Sequence, residues 1–198
     1  ITFPRADIIS LKLAKTLKNE YEQRRRTISS MAGNDAKQRE FGLWCLEHGS
    51  EEPSLYAGAE QFLTKACELG PSDVANHLAL ARLYQATYRY EKAWKLLRSM
   101  IAGEFKASSD ARVALAQFEA RLGLIEDARA NLERSIELEP ASYKPKLALG
   151  EYRLRIGRID GAIEPLRAAM RNEPQGVEHA SVRARIRRKV GEAALGLG

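Results

Sequence analysis

Two stretches of the chain share one pattern, ARLGLIEDARANLERSIELEP at residues 120–140 and LRIGRIDGAIEPLRAAMRNEP at residues 154–174. A shift of 34 positions places Gly157 on Gly123 and Pro174 on Pro140. A glycine, a small residue, a leucine and a closing proline therefore recur at one spacing. This spacing indicates an internal repeat, which is typical of stacked helical units rather than of a single closed core.

The same frame continues towards the N-terminus. With one extra residue it meets Tyr88, Tyr90, Ala93 and Leu97, and one unit earlier it meets Tyr56, Ala59, Leu63, Ala66 and Pro71. The frame predicts four units at residues 40–73, 74–108, 109–142 and 143–176, which start near Glu40, Val74, Ser109 and Tyr143. Residues 1–39 are expected to form an N-terminal helix, cap or linker, and residues 177–198 a basic capping helix.

Each unit contains two helical patterns separated by a turn. In the third unit, Ala128, Leu132 and Ile136 lie at i, i+4 and i+8 on the predicted second helix. Gly123 stands where the first helix must end and the chain reverse, and Pro140 stops the second helix because it has no N–H. Small residues at one recurring place are expected to let the two helices approach closely: Ala59, Ala93, Ala128 and Ala162. The sequence therefore predicts an all-α chain of helix–turn–helix pairs.

This pattern resembles the tetratricopeptide repeat, a unit of 34 residues. Leu80, Ala81 and Tyr84 fill the first-helix signature of the second unit, and Leu149 and Gly150 do so in the fourth. The resemblance implies a right-handed α-α superhelix, or solenoid, with a concave groove. The sequence departs from the family pattern at Glu47, where a small residue is usual, at Glu119 and Arg153, where a tyrosine is usual, at Phe105, where a proline is usual, and at Pro165. Pro165 predicts a kink or a late start of the last second helix.

The resemblance also implies which residues line the groove. By the family's positions they are Phe41, Trp44, His48, Leu78, Arg82, Gln85, Val113, Gln117, Arg121, Lys144, Leu147, Glu151 and Arg155. Such a surface suits a partner with aromatic or aliphatic anchors and carboxylates. As an alternative, Phe41 and Trp44 pack against the N-terminal helix as core. A clamp for the tails of heat-shock chaperones is not expected, because Trp44, His48 and Leu78 occupy places where that clamp needs Lys and Asn.

The composition is that of an ordinary globular protein. The 198 residues are 44% hydrophobic and 29% charged, with a net charge of +6 that favours acidic partners. The chain begins at Ile1 without an initiator Met. We therefore expect an excerpt of a longer protein or a processed form, from which a targeting signal or a membrane anchor has been removed.

Few residues suggest chemistry. Cys45 and His48 lie at i, i+3, but no second ligand pair follows with zinc-type spacing, so we expect a partly buried cysteine and a rim histidine, with no metal and no cofactor. One bridge between Cys45 and Cys67 is conceivable, although free cysteines are the more ordinary outcome. Neither a nucleophile elbow nor a phosphate loop is present in the sequence, and an enzyme is not expected.

Two basic clusters stand near the ends of the chain. Arg24, Arg25 and Arg26 form the first, and the second is Arg183, Arg185, Arg187, Arg188 and Lys189. We interpret both as solvated helix faces. The alternative is contact with lipid phosphates or nucleic acid. Nucleic acid is the weaker alternative because no aromatic residues are interleaved with either cluster.

The sequence thus predicts a non-catalytic scaffold that binds a partner peptide or helix in its groove, as an assembly component of a larger machine. Family members of this kind serve bacterial envelope systems such as exopolysaccharide secretion or pilus biogenesis. We expect a domain at the cytoplasmic face of a membrane-associated complex, with the periplasm as the alternative. The other functions left open are binding of nucleic acid or anionic membranes through the basic terminal helices, and service as the regulatory arm of a multidomain enzyme.

Overall fold

The computed structural model describes the backbone of residues 5–196 and the side chains of residues 15–196. These residues contain no strand, in agreement with the predicted all-α class. The helices are α1 Arg5–Ser29, α2 Asp35–His48, α3 Leu55–Leu69, α4 Val74–Ala86, α5 Tyr90–Ala102, α6 Ser109–Arg121, α7 Ile125–Leu138, α8 Tyr143–Arg155, α9 Ile159–Arg171 and α10 Ala180–Ala194, with a short 3₁₀ turn at Val177–His179 before α10.

The chain divides into two compact units, with the boundary inside α5 between Leu96 and Leu97. In the N-terminal unit, α2 pairs with α3, which in turn contacts α4. In the C-terminal unit, α6 pairs with α7 and α8 with α9, and α10 packs on α9 and α8. Consecutive helix–turn–helix pairs therefore build each unit, as the repeat predicts.

The first helix of each pair begins with a side-chain cap. An Asn, Asp or Ser side chain accepts a hydrogen bond from a backbone N–H in the first turn, which satisfies a donor that has no partner inside the helix. The caps and their donors are Asn34 with Lys37, Asp73 with Ala75, Ser108 with Ala111, and Ser142 with Lys144. The second helices α3, α7 and α9 begin without such a cap. Local sequence therefore marks the start of each repeat.

Three of the turns within pairs share one geometry. A residue in the left-handed region follows each first helix: Tyr88 at φ 59°, Gly123 at φ 79° and Gly157 at φ 74°. The next N–H then donates to a carbonyl five residues earlier, which is the Schellman arrangement. These bonds are Arg89 to Tyr84 at 2.8 Å, Leu124 to Glu119 at 2.9 Å, and Arg158 to Arg153 at 2.8 Å. Glycine adopts this backbone freely, whereas a tyrosine does so at a cost.

In the first and last pairs, the two helices touch where one of them has no side chain. A Cβ built on Gly42 of α2 would lie 2.6 Å from Leu63 Cγ, and a Cβ on Gly150 of α8 would overlap Leu166 in the same way. The predicted small residues on the second helices, Ala59, Ala93, Ala128 and Ala162, are all completely buried. Small side chains on both sides thus allow the close approach that the repeat requires.

The first pair differs from the predicted frame. Helix α2 begins at Asp35, ahead of Glu40, and the longer segment from Gly49 to Ser54 connects it to α3. Gly42, rather than Glu47, takes the small-residue place against Leu63, and Glu47 is exposed. A surface connection absorbs extra residues at little cost, so the first helix shifts along the sequence while its packing is kept.

Of the two outcomes predicted for Pro165, a kink or a late start of the last second helix, the late start is wrong. Helix α9 runs from Ile159 to Arg171 with Pro165 inside it. Because Pro165 has no N–H, the carbonyl of Gly161 lacks its usual partner four residues on. The Arg153 guanidinium donates to this carbonyl, with Nη1 to O at 2.6 Å. Arg153, which departs from the family's tyrosine, therefore supplies the hydrogen bond that Pro165 removes.

Packing in the C-terminal unit is clear from two groups of buried side chains. One brings α6 and α7 together with α8 around Ala116, Leu132 and Leu149. The other brings α8 and α9 together with α10, where Ile186 and Ala193 are buried against Leu166. Helix α10 therefore covers the apolar faces of the last pair, which is the role of a capping helix in a repeat array.

We predict that Gly150→Ala lowers the free energy of unfolding by about 1–3 kcal/mol, because the added methyl must displace the Leu166 side chain in a packed core. The matched control is Gly191→Ala in α10, where a Cβ meets nothing within 4 Å. That change should be neutral or should stabilise by about 0.5–1 kcal/mol through helix propensity. Urea unfolding followed by circular dichroism measures both, and equal effects of the two changes would contradict the close-approach interpretation.

Arg153 and Pro165 should be coupled energetically, because Arg153 supplies the hydrogen bond that Pro165 removes. Arg153→Met should cost about 1–2 kcal/mol in the natural chain, since it leaves the Gly161 carbonyl without its donor. In a Pro165→Ala background the new N–H serves this carbonyl, so the same change should cost about 1 kcal/mol less. A double-mutant cycle in urea tests this, and additive effects would show that the two residues act independently.

Candidate partner-binding surfaces

A row of aromatic rings lies between α1 and α2 in the N-terminal unit. Ring centroids lie 5.5 Å apart for Tyr21 and Phe41, 5.8 Å for Phe41 and Trp44, and 4.9 Å for Trp44 and His48. The guanidinium of Arg24 lies over the Trp44 ring at 4.8 Å from its centroid, a cation–π contact. Phe41 is only 3% exposed. Its side chain is therefore core, as the alternative interpretation stated, whereas Trp44 keeps an exposed part.

An open groove of about 680 Å³ lies between α1 and α2, which we call the α1–α2 groove. Its apolar lining includes Met31, Leu43 and Trp44, of which Met31 is 42% exposed. Its rim carries charges that pair across one turn of helix, Arg24 with Glu20 and Lys37 with Glu40. Sequence reasoning missed Leu43, because the frame of the first unit was placed at Glu40 rather than at Asp35.

Cys45 and His48 lie one turn apart on α2, where Cys45 is buried and His48 is partly exposed. Within the residues whose side chains are described, no three His, Cys, Asp or Glu side chains come together in a way that could hold a metal. Burial raises the pKa of the Cys45 thiol to about 12 and that of the Cys67 thiol to about 11, so neither forms a thiolate readily. Both cysteines are free, so the conceivable bridge is absent.

The other predicted residues of the N-terminal unit lie on α4. Arg82 is exposed, while Leu78 and Gln85 are partly exposed. Beside them, the buried Asn76 amide donates to the Ala66 carbonyl at 2.9 Å and to the Asp35 carboxylate at 3.0 Å. This amide hydrogen bond lowers the pKa of Asp35. Asn76 thus ties α4 to the helix pair before it.

In the C-terminal unit, the predicted residues divide into exposed and buried sets. Gln117, Arg121, Lys144 and Arg155 are exposed, and Val113 and Glu151 are partly exposed. Leu147 is only 6% exposed and belongs to the core formed with α9 and α10. The exposed members of this set are therefore all polar, and three of the four are cationic.

Ion pairs link first helices one repeat apart. Lys144 Nζ lies 2.9 Å from Asp110 Oδ1, and Arg185 makes two bonds of 2.8 and 2.7 Å to Glu151, each pair being 34 residues apart. In the N-terminal unit, Arg39 pairs with Asp73 at the same separation. The hydrogen bond to Asp110 raises the pKa of Lys144. Lys144 and Glu151 are therefore already satisfied inside the chain, which reduces what they offer a partner.

The basic cluster of α10 is engaged in the same way. Arg187 pairs with Glu173 at 2.8 Å and Lys189 with Glu192 at 2.6 Å. The remaining members also have acceptors: Arg183 bonds the carbonyls of Pro174 and Gly176, Arg185 bonds Glu151, and Arg188 lies 3.7 Å from Glu192. Three carboxylates, Glu151, Glu173 and Glu192, thus compensate part of the positive charge of the cluster, which weakens the case for nucleic acid.

A second cavity, of about 600 Å³, lies between α8 and α10. Its lining joins Arg155 of the predicted groove with Arg185, Arg188 and Lys189 of the basic cluster, along with Glu151, Leu154 and Glu192. The sequence predicted the groove residue Arg155 and the basic cluster separately. The packing of α10 on α8 places their side chains around one cavity. Four cations face two carboxylates there, so the cavity favours an anionic group.

None of the described helices has a stretch long and apolar enough to cross a bilayer.

No protein-family profile and no curated protein matches the chain. Solved structures do match it. TTC0263, a thermophilic tetratricopeptide protein of Thermus thermophilus, superposes with a TM-score of 0.69 at 19% identity, covering 94% of this chain and 97% of that one. PilW, a type IV pilus biogenesis factor, gives 0.58 at 15% identity over 98% and 90%, and MamA gives 0.55 at 18% over 87% and 96%. The chain therefore has the tetratricopeptide-repeat fold.

Proposed function

We propose that this chain is a non-catalytic scaffold that binds a peptide or helix of a partner protein. The observation that carries the proposal is the α1–α2 groove, because Leu43, Trp44 and Met31 leave apolar surface in an open concavity rimmed by charge. Apolar anchors at the centre of a polar rim are the usual anatomy of a protein–protein contact. A helix laid in such a groove would bury an aliphatic or aromatic face.

The polar surface of the C-terminal unit supports contact with acidic residues of the partner. Arg155 has no ion pair among the described residues, and it borders the cationic cavity between α8 and α10. A guanidinium that is not already neutralised can form two bonds with one carboxylate of a partner. The proposed partner therefore presents acidic residues to this unit and apolar residues to the α1–α2 groove.

The proposal extends to assembly of a larger, membrane-associated machine, such as an envelope or secretion system. PilW, which has the same fold, is a pilus biogenesis factor, and this motivates the extension. The net charge of +6 also favours an anionic setting, whether an acidic protein or a membrane surface.

We predict that Leu43→Glu reduces partner capture at least about tenfold, since a charge in the groove would have to be desolvated on binding, a loss of about 1.4 kcal/mol. The chain is immobilised, exposed to extract of its source cells, and the retained proteins are quantified by mass spectrometry. Leu69→Glu is the matched control, because Leu69 is 37% exposed and does not line the groove.

Met31→Glu should reduce partner capture as Leu43→Glu does. Because Met31 is exposed, this change does not disturb the core, so the comparison separates an effect on binding from an effect on stability. Proteins retained equally by the natural chain, by both groove variants and by the control would contradict the groove as a binding site. Recovery of membrane-assembly components in the groove-dependent set would support the proposed setting, and their consistent absence would speak against it.

A further inference from the structure

The turn between α4 and α5 contains a feature that neither the repeat nor the core explains. Tyr88 occupies the left-handed position that Gly123 and Gly157 fill in the corresponding turns. A side chain raises the energy of this backbone conformation, and glycine avoids that cost. A strained residue that persists where a relaxed one would fit points to a role for its side chain.

The side chain of Tyr88 does not contribute to packing. Tyr88 is 79% exposed, and its ring meets Tyr90 edge-on with centroids 6.0 Å apart. Tyr90 is itself 37% exposed. The two rings therefore form a small aromatic wedge on the surface, held by the rigid turn below it rather than by a flexible loop.

Two cations of the same turn pack on the ring of a third tyrosine, Tyr84. Arg89 makes two bonds of 2.7 and 2.8 Å to Glu60 and lies over the Tyr84 ring at 4.7 Å. Lys92 Nζ lies 5.7 Å from the centre of the same ring. Lys92 has no ion pair among the residues that the structure describes, whereas Arg89 is already neutralised by Glu60. The turn therefore presents two exposed rings beside one uncompensated positive charge.

We propose that this tyrosine turn, formed by Tyr84, Tyr88, Arg89, Tyr90 and Lys92, is a second docking surface, for an extended protein segment with a prolyl or aliphatic residue beside an acidic one. The apolar residue packs on the wedge of Tyr88 and Tyr90, and the carboxylate meets Lys92. The inference rests on the proposed scaffold function but uses a surface separate from the α1–α2 groove.

The charges decide between a protein segment and other polyanions. A nucleic acid or an anionic membrane gains affinity from several cations that act together. Here Glu60 compensates Arg89, and Glu91 compensates Lys95 at 2.6 Å, so one cation remains. Rigid tyrosines with a single charge beside them are instead typical of hot spots in protein recognition.

To test this, a displayed library of random dodecapeptides is selected for binding to the full chain. Peptides that also bind the Tyr88→Gly variant are removed beforehand by incubating the library with that variant. A synthetic peptide with the resulting consensus is then titrated by fluorescence anisotropy. We expect proline or aliphatic residues next to Asp or Glu, and at least a tenfold weaker affinity for Tyr88→Gly. The unfolding midpoint of this variant should be equal to or higher than that of the natural chain, since glycine relaxes the turn.

Lys92→Glu should also weaken the peptide at least about threefold, and Lys95→Glu on the same helix serves as its matched control with unchanged affinity. Leu43→Glu should leave the peptide affinity unchanged, which separates this inference from the groove. The inference is overturned if no selected peptide depends on Tyr88, if the consensus lacks acidic residues, or if Tyr88→Gly unfolds at a lower midpoint. It is overturned equally if equimolar phosphatidylcholine–phosphatidylglycerol vesicles or a single-stranded oligonucleotide bind through Tyr88.

Discussion

Close contact between a small residue of one helix and a leucine of the next is the constraint on which the helix pairs depend, and in the first and last pairs the small residue is glycine. Gly42 faces Leu63 and Gly150 faces Leu166, at separations that leave no room for a Cβ. Only this close approach lets each helix bury its apolar face, which a single helix of this length cannot do in water. The complete burial of Leu63 and Leu166 follows directly from it.

Stacking at this distance also brings polar side chains of successive first helices together. Residues one repeat apart become neighbours, so that Lys144 reaches Asp110 and Arg185 reaches Glu151. Side chains that the repeat pattern assigns to partner binding are thereby satisfied within the chain. The partner surfaces that we propose in the two units use side chains that these pairs leave available, Arg155 in one unit and the apolar side chains of the α1–α2 groove in the other.

Three departures from the repeat, Arg153, Pro165 and Glu119, have a local physical account. Arg153 serves the carbonyl that Pro165 leaves without a donor. Glu119, at the equivalent place one repeat earlier, is buried, and burial raises the pKa of its carboxyl while the Asn131 amide donates to it at 2.9 Å. Tyr88 is different, because no neighbouring group compensates its strained backbone. This contrast between compensated and uncompensated departures is what singles out the turn between α4 and α5.

The helix pairs, their turns and their small residues could be predicted without a structure, because they depend on residues that recur at a fixed spacing in the chain. The sequence did not determine the register of α2, since a connection of variable length separates Gly42 from Leu63 and the packing alone selects Gly42. For the same reason the sequence left Phe41 open between the groove and the core, and only the packing places it in the core. Which polar groups are already satisfied within the chain could be learned only from the packing of the helices. The partners of the Glu151 carboxylate and of the Gly161 carbonyl come from other helices, and a linear pattern carries no information on such contacts.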